Sequence, residues 1–161
     1  MSEENPWKTK SVTTTYENPW IKVEHHDVLN PAGNPGIYGT VSFKNRAVGV
    51  VPIADNGDTW LVGQYRFPLQ EYHWEIPMGG APKGESPEDC ALRELREESG
   101  LIAESLIPIG RVHLSNCITD EEGLLFVAQG LTEGPSETEE TEVLTLRRLP
   151  FEEAFQMAQD G

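Results

Sequence analysis

The sequence predicts an α/β protein in which a mixed β-sheet lies between helices and follows a small antiparallel sheet. Apolar, strand-like runs bounded by turn residues recur along most of the chain. Helical signals occur after Ser86 and again after Pro150. With 161 residues, the chain can form one domain with a sizeable core and a short extension. We therefore expect an N-terminal β extension over residues 1–45 and a main domain over residues 46–161.

The N-terminal extension contains three strand-like runs, SVTTTY, WIKVEHHDVL and GIYGTVSF, and the turn-rich segment NPAGNPG precedes the last of them. Residues 1–10 are expected to form a loose tail. His25 and His26 are neighbours on the second run, so their side chains should point to opposite faces of the sheet. This spacing disfavours a shared metal site and favours a structural or surface role.

The main domain opens with two apolar runs, RAVGVVPIA from Arg46 and TWLVGQYR from Thr59, on either side of Asn56-Gly57. Asn-Gly between apolar runs is a strong hairpin signal, because both residues tolerate positive φ. Later strand-like runs are WEIP, LIPIGRVHL, GLLFVAQGL and VLTLRRL. Apolar residues at helical spacing in PFEEAFQMAQDG predict a C-terminal helix.

Composition limits the classes of partner. The formal net charge is −15, from 27 acidic and 12 basic residues, which argues against general affinity for nucleic acid or an anionic membrane. Two cysteines provide neither a disulfide framework nor metal-ligand spacing, so a cytoplasmic location is expected. The sequence shows neither a signal-peptide core nor a run of about 18 apolar residues, so no membrane span is expected.

The strongest chemical signal is the segment GGAPKGESPEDCALRELREESGL, residues 79–101. Ser86 is an N-cap candidate followed by proline, so a helix should begin there. At about 100° per residue, Glu94, Glu97 and Glu98 fall on one face of that helix. Two interpretations are open: a solvated acidic face relieved by basic neighbours, or a site for a hard cation such as Mg²⁺, which prefers oxygen ligands. The glycines favour the second, because they let the preceding loop bend back over the helix.

This segment resembles the Nudix box: a glycine, five residues, Glu, seven residues, Arg-Glu, an aliphatic residue, any residue, Glu-Glu, any residue, a glycine and an aliphatic residue. Every fixed position is filled, by Gly79, Glu85, Arg93, Glu94, Leu95, Glu97, Glu98, Gly100 and Leu101. The resemblance implies a Nudix hydrolase with a mixed α/β/α sandwich fold. It also implies that Glu85 ties the loop to the helix.

The resemblance extends to the branch that hydrolyses ADP-ribose and other nucleoside diphosphate sugars. It is carried by YENPWIKVEHHDVLNPAGNPGIYGTVSF, VPIADNGDTWLVGQYR and WEIPMGG, and it runs from about Tyr16 to the C-terminal helix. The branch implies Mg²⁺-dependent hydrolysis, with Mn²⁺ as a substitute, to a nucleoside monophosphate and a sugar phosphate. It also implies a homodimer in which residues of both subunits line the substrate pocket.

The resemblance assigns the metal site residue by residue. Glu94 and Glu98 resemble the principal metal-ligating glutamates, and Glu97 resembles an additional ligand or a residue that contacts the ligands from outside the metal site. The backbone carbonyl of Met78 corresponds to a further ligand, and Arg93 resembles the residue that orients the glutamates.

Substrate contacts are expected from charged and aromatic residues outside the box. Arg66, in the QYR triplet, matches an arginine that contacts the diphosphate, although a surface role at a strand end is also open. Arg46 and Lys44 are weaker candidates for the same role, and Glu75, in WEIP, is expected to face the site. Trp20 is the first candidate for a nucleobase platform, with a core or interface role equally open. Further aromatic candidates are Tyr16, Tyr38 and Phe43.

The general base is expected in the acidic loop before the last strand. When VLTLRRLPFEEAF is aligned with the branch, Glu140 falls at the position of the base and Glu142 falls near a metal. The second candidate cluster is Asp120, Glu121 and Glu122. Members dedicated to ADP-ribose often carry a proline beyond the box, where this chain has Asn116 and Cys117. A broader or shifted range of nucleoside diphosphate sugars is therefore expected.

Two alternatives remain open. One is a Nudix hydrolase of nucleoside triphosphates or dinucleoside polyphosphates, which the N-terminal strands and the QYR and WEIP segments disfavour. The other is a catalytically silent domain that binds a nucleotide. It is disfavoured because no glutamate of the box is missing.

Overall fold

A computed structural model describes residues 4–135 and 143–160 of the chain. The chain divides into two compact units, of which the first contains Met1–Asn45 and His113–Glu122 and the second contains Arg46–Val112 and Gly123–Gly161. The sequence did not indicate that residues near position 117 join the N-terminal segment. In the structure the Tyr38 hydroxyl donates a hydrogen bond to the Cys117 carbonyl (2.6 Å).

The first unit is built on an antiparallel sheet in the order β1, β2, β3. Its strands are β1 (Lys8–Glu17), β2 (Ile21–Leu29) and β3 (Pro35–Phe43). Asn30 fixes the turn between β2 and β3, because its side-chain oxygen accepts hydrogen bonds from the N–H groups of Ala32 and Asn34 (3.0 Å each). The three predicted strands are confirmed, but β1 begins at Lys8, within the expected loose tail.

The second unit contains two larger sheets and both helices. Its elements are β4 (Arg46–Pro52), β5 (Asp58–Arg66), β6 (Glu71–Glu75), β7 (Met78–Ala81), α1 (Pro87–Ser99), β8 (Leu101–Ile102), β9 (Ser105–His113), β10 (Glu122–Gln129), β11 (Thr132–Glu133), β12 (Thr145–Pro150) and α2 (Phe151–Asp160). A mixed sheet has the order β7, β4, β10, β9, with β10 parallel and β7 antiparallel to β4. An antiparallel sheet has the order β12, β5, β6, and β8 pairs with β11. Helix α1 contacts the mixed sheet through β7 and β4, whereas α2 contacts β12 and β5.

The Asn56-Gly57 turn forms as predicted, but the strands beside it do not make a hairpin. Gly57 adopts φ +85°, and its N–H donates to the Ala54 carbonyl (2.9 Å). Among the described residues, β-pairing across the turn is limited to the bridge between Ile53 and Thr59. Each strand has both edges taken by other partners, β4 by β7 and β10, and β5 by β6 and β12. The hairpin prediction is wrong because the turn chemistry is local, whereas strand pairing is decided by competition for edges.

Helix α1 begins and ends where its local signals place it. The Ser86 Oγ accepts a hydrogen bond from the Asp89 N–H (3.1 Å) and donates one to the Asp89 carboxylate (2.6 Å). Gly100 ends the helix in the left-handed conformation (φ +70°), and its N–H donates to the Arg96 carbonyl (2.8 Å). The helix packs one face into the main core through Cys90, Ala91 and Leu95.

Helix α2 lies on the antiparallel sheet, and none of its described residues is buried. The rings of Phe151 and Phe155 stack with their centroids 6.2 Å apart, and both remain partly exposed. Arg147 of β12 pairs with Glu153 (Nη2 to Oε1, 2.5 Å) and lies over the ring of Trp74 (5.8 Å). In the described part of the chain, no helix has the length and apolar character that a membrane span requires.

Candidate active site

Arg93 is the centre of an ion-pair network between α1 and the loop that precedes it. Its Nε and Nη2 atoms each donate to one carboxylate oxygen of Glu85 (2.9 Å each). Its Nη1 donates to Glu94 (2.7 Å) and Glu97 (2.9 Å), and its Nη2 reaches the Gly80 carbonyl at 3.4 Å. The tie between loop and helix that was expected at Glu85 is therefore a bidentate ion pair.

The network changes the protonation behaviour of its members. Hydrogen bonding by Arg93 lowers the pKa of Glu85 below its ordinary value of 4.5. Hydrogen bonding to Glu85 is also the largest cause that raises the pKa of Arg93. Burial raises the pKa of the Cys90 thiol to about 12, so this thiol stays protonated at neutral pH. Within this network, the single positive charge of Arg93 faces three carboxylates, those of Glu85, Glu94 and Glu97.

Glu98 is buried between α1 and β7. The residue is 5% exposed, and its Oε2 accepts a hydrogen bond from the Met78 N–H (2.8 Å). The carbonyl of Pro77, one position earlier, accepts from the Val50 N–H of β4 (2.9 Å). Successive residues of a strand direct their backbone groups to opposite edges, so both the N–H and the carbonyl of Met78 point away from β4, to the edge where the N–H meets Glu98.

Gly79 lets the carboxylate of Glu94 lie directly against the loop backbone. A Cβ atom at position 79 would lie 2.0 Å from the Glu94 Cδ and Oε1 atoms. Any larger residue would have to displace this carboxylate. The first glycine of the box is therefore required by a close approach, whereas Gly84 supports the turn through its positive φ of +102°.

These donors fit a hard divalent cation. Glu94, Glu97, Glu98 and the Met78 carbonyl offer only oxygen atoms, the ligand type that Mg²⁺ prefers. Within residues 4–135 and 143–160, no three acidic, histidine or cysteine side chains converge as a formed metal site. Arg93 draws Glu94 and Glu97 towards itself, while the Met78 N–H holds Glu98. The arrangement is a set of suitable donors at the edge of β7 rather than a closed cage.

Arg66 and Glu75 form a second ion pair, on the sheet of β5 and β6. The Arg66 Nε lies 3.0 Å from both carboxylate oxygens, and the Nη2 donates to Oε2 (2.5 Å). Gln64 reaches the same carboxylate from β5 (3.4 Å). The sequence predicts substrate contacts for both ends of this pair, but it does not indicate that they bind each other. Gln64 was missed, although its position two residues before Arg66 places both side chains on one face.

Of the other predicted site residues in the second unit, Arg46 is among the described residues. Arg46 is exposed at the start of β4, where it pairs with Ala81 of β7. This register places Arg46 on the strand next to the box loop. Glu140 and Glu142, the predicted base and its neighbour, lie outside the described residues.

The remaining candidates belong to the first unit. Trp20 is 66% exposed, and its carbonyl accepts a hydrogen bond from the Lys44 N–H (2.9 Å). The Lys44 ammonium forms an ion pair with Glu17 (2.8 Å). Asp120, from the second candidate cluster for the base, accepts a hydrogen bond from the Phe43 N–H (2.9 Å). Asp120 therefore makes a contact that stabilises the end of β3.

Two protein-family models match this chain. Residues 43–161 match the NUDIX domain, and residues 7–41 match the nucleoside diphosphate sugar hydrolase N-terminal domain. The first match covers most of the chain. The chain therefore belongs to the NUDIX family, as the box predicted.

Individual relatives are similar to this chain over different shares of its length. The ADP-ribose pyrophosphatase of Bacillus subtilis (strain 168) is 36% identical over 115 residues, which are 70% of this chain and 62% of that protein. The matched segment thus spans less than two thirds of that relative. The methanol dehydrogenase activator of Bacillus methanolicus is 34% identical over 158 residues, 97% of this chain and 83% of that protein.

A solved structure confirms the predicted fold class. The crystal structure of an ADP compounds hydrolase superposes with a TM-score of 0.86, covering 99% of this chain and 86% of that one. The two sequences are 24% identical, so this likeness establishes the fold alone.

Proposed function

We propose that the chain hydrolyses the pyrophosphate bond of nucleoside diphosphate sugars, with Mg²⁺ as its metal, to a nucleoside monophosphate and a sugar phosphate. The observation that carries the proposal is the complete box folded as one unit, in which Arg93 joins loop to helix and Glu98 binds the edge of β7. The match of residues 7–41 to the N-terminal domain of nucleoside diphosphate sugar hydrolases supports this substrate class over nucleoside triphosphates.

The metal would be held by Glu94, Glu98, Glu97 and the Met78 carbonyl, with Mn²⁺ as a substitute. A bound divalent cation would neutralise charge on the diphosphate and activate water. Arg93 orients Glu94 and Glu97, because one of its nitrogens donates to both. Holding ligands in place before the substrate binds reduces the entropic part of the barrier.

The diphosphate would be bound by Arg66, with Arg46 as a further cation. Two nitrogens of the Arg66 guanidinium donate to the Glu75 carboxylate. This bidentate contact fixes the orientation of the guanidinium. Trp20, as an exposed aromatic ring, remains the proposed platform for the nucleobase. Glu140 as general base, with Glu142 near a metal, is proposed from the resemblance alone.

A substrate panel tests this function. ADP-ribose, ADP-glucose, GDP-mannose, UDP-glucose, nucleoside triphosphates and diadenosine polyphosphates are incubated with Mg²⁺, with Mn²⁺ or with EDTA, and products are separated by ion exchange. We expect metal-dependent turnover concentrated in the diphosphate sugars. The ranking within that class tests whether the missing proline broadens the range. Turnover of triphosphates alone would contradict the substrate class, and no turnover at all would favour a silent nucleotide-binding domain.

The oligomeric state and the location are further parts of the proposal. We propose a homodimer in which the N-terminal extension, residues 1–45, serves dimerisation and the substrate pocket, while residues 46–161 form the hydrolase domain. A monomer in light scattering would contradict the dimer. The two cysteines are free thiols, Cys90 buried and Cys117 exposed, which suits the reducing cytoplasm.

A further inference from the structure

A cavity of about 570 Å³ lies between helix α2 and the antiparallel sheet, within the second unit. This volume is in the range of small-molecule sites. Its wall is mainly aromatic and aliphatic, with Leu61, Tyr72, Trp74, Phe151, Phe155 and Met157 among the lining residues. None of the described lining residues has a role in the proposed hydrolysis.

Two of the lining residues, Thr59 and His73, carry a buried polar atom without a hydrogen-bond partner among the described residues. The His73 Nε2 lies 3.4 Å from the Glu71 carboxylate, and His73 adjoins Trp74 on β6, so its side chain points to the opposite face of the sheet. Thr59 is 1% exposed, and its Oγ1 has no hydrogen-bond partner among the described residues. Thr59 and Leu61 lie two positions apart on β5 and both line the cavity. Gly63, the next residue on that face, pairs with Trp74 of β6. The hydroxyl therefore belongs to the sheet face that the aromatic rings cover, where an unpaired hydroxyl is unfavourable.

The surrounding charges select against an anionic occupant. Asp160 lines the cavity, and the first turn of α2 carries Glu152 and Glu153. Arg147, which lies over the Trp74 ring, is offset by its ion pair with Glu153. Phosphate groups would thus meet a negative rim on a protein of net charge −15. A single water could satisfy Thr59, but the other lining residue of β5 and most of those of α2 are apolar, so the water would find few further partners.

We propose that this cavity binds an uncharged, planar aromatic or heterocyclic molecule whose polar group forms a hydrogen bond with the Thr59 Oγ1. Flat rings make favourable stacked or edge contacts with the aromatic side chains of the wall. Trp74 and Glu75 are neighbours on β6, so their side chains point to opposite faces of the sheet. The cavity is thus separated by β6 from the ion pair of Glu75 and Arg66, and its use does not depend on the proposed hydrolysis.

Fluorine NMR of 5-fluoroindole with the full chain tests the proposal, because the probe is uncharged and has one ring N–H donor. We expect saturable binding with a Kd of about 1 mM or tighter, as its small number of atoms allows. 5-Fluoroindole-2-carboxylate should bind at least about 10-fold more weakly because of the acidic rim. Thr59→Val should weaken 5-fluoroindole by about 5- to 10-fold, whereas Thr59→Ser should retain it. Ala154→Trp, which fills the cavity, should abolish binding.

Three control measurements distinguish binding in this cavity from binding at the active site and from a loss of folding. Thr132→Val, on β11, should leave probe binding unchanged. Glu98→Gln should also leave it unchanged, and loss of binding there would place the probe at the active site and overturn the proposal. Thr59→Val should keep or raise the melting temperature, because it removes an unpaired hydroxyl. The proposal is also overturned if no saturation occurs, or if Thr59→Val and Ala154→Trp bind the probe as the wild type does.

Discussion

Helices α1 and α2 belong to the same unit but are held in different ways. Helix α1 has a side-chain cap at Ser86 and a glycine cap at Gly100, and it buries Cys90, Ala91 and Leu95. Helix α2 follows β12 directly and buries none of its described residues. Both helices carry apolar residues at helical spacing, so pattern alone does not separate them.

This difference in packing shows which helix can hold a group of charged side chains in fixed positions. In α1 the core packing and both caps fix the backbone, so Arg93 and the glutamates start from defined positions. In α2 the apolar face is incompletely covered, and a cavity remains between the helix and the sheet. A well-packed helix can hold catalytic side chains in fixed positions. A helix that is packed loosely against the sheet leaves a cavity beside it, which has room for a ligand.

The largest expected effect is a loss of turnover when a charge is removed from α1. Removal of a charge from α2 should leave turnover nearly unchanged. Glu98→Gln should lower hydrolysis by at least about 100-fold, because even an outer partner of a metal can contribute that much. Folding should persist, since the amide oxygen can still accept from the Met78 N–H. The matched change on α2, Glu152→Gln, should leave activity near the wild-type rate. Steady-state kinetics with ADP-ribose and circular dichroism check both variants. Wild-type activity in Glu98→Gln would remove this residue from the ligand set.

The second prediction separates activity from stability within the α1 region. Gly79→Ala places a Cβ against the Glu94 carboxylate and should displace that flexible side chain. A displacement of about 1 Å at a catalytic group can reduce the rate by about 100-fold. The melting temperature should change little. The control is Gly110→Ala, where a Cβ meets no atom within 4 Å. Undiminished turnover in Gly79→Ala would show that the position of Glu94 is unimportant.

The third prediction compares the packing of the two helices. Leu95→Ala, at a position with 0% exposure, should lower the free energy of unfolding by about 2–5 kcal/mol. Phe155→Ala should lower it by about 1 kcal/mol, because Phe155 is already 48% exposed. Urea denaturation measures both. Equal losses would mean that α2 is packed as firmly as α1, and the contrast between the helices would fail.

The smallest expected effect is the pH dependence of the tie at Glu85. Since Arg93 lowers the pKa of Glu85 in the folded state, the stabilisation is complete above the ordinary value of 4.5 and is lost as the pH falls through the lower folded pKa. Glu85→Gln should therefore lower the melting temperature at pH 6 and reduce its decline below pH 4.5. Scans with EDTA exclude metal effects, and Glu88→Gln, in the exposed first turn of α1, is the control. An unchanged acid decline in Glu85→Gln would contradict the assignment.

Much of α1 and of the candidate site could be predicted from the sequence, because their signals are local. The cap at Ser86, the close of the helix at Gly100 and the common face of the three glutamates depend on spacing along one helix. The pattern of the box also named Arg93 and Gly79. The structure added the physical reasons, an ion-pair network for Arg93 and a close approach for Gly79.

Other features depend on segments that are distant in sequence. The pairing of β4 with β10 and of β5 with β12 overrode the local hairpin signal at Asn56-Gly57. The ion pair of Arg66 with Glu75 depends on the register of β5 against β6. The unpartnered hydroxyl of Thr59 can be recognised only once α2 and the sheet surround it.

By itself, the sequence determined the family, the capped helix and the common face of Glu94, Glu97 and Glu98, since each depends on residues within a short stretch of chain. The tertiary structure alone decided which strands share a sheet, which charges meet across strands and where a cavity is left. These depend on competition among distant segments for edges and for burial, which spacing along the chain does not encode.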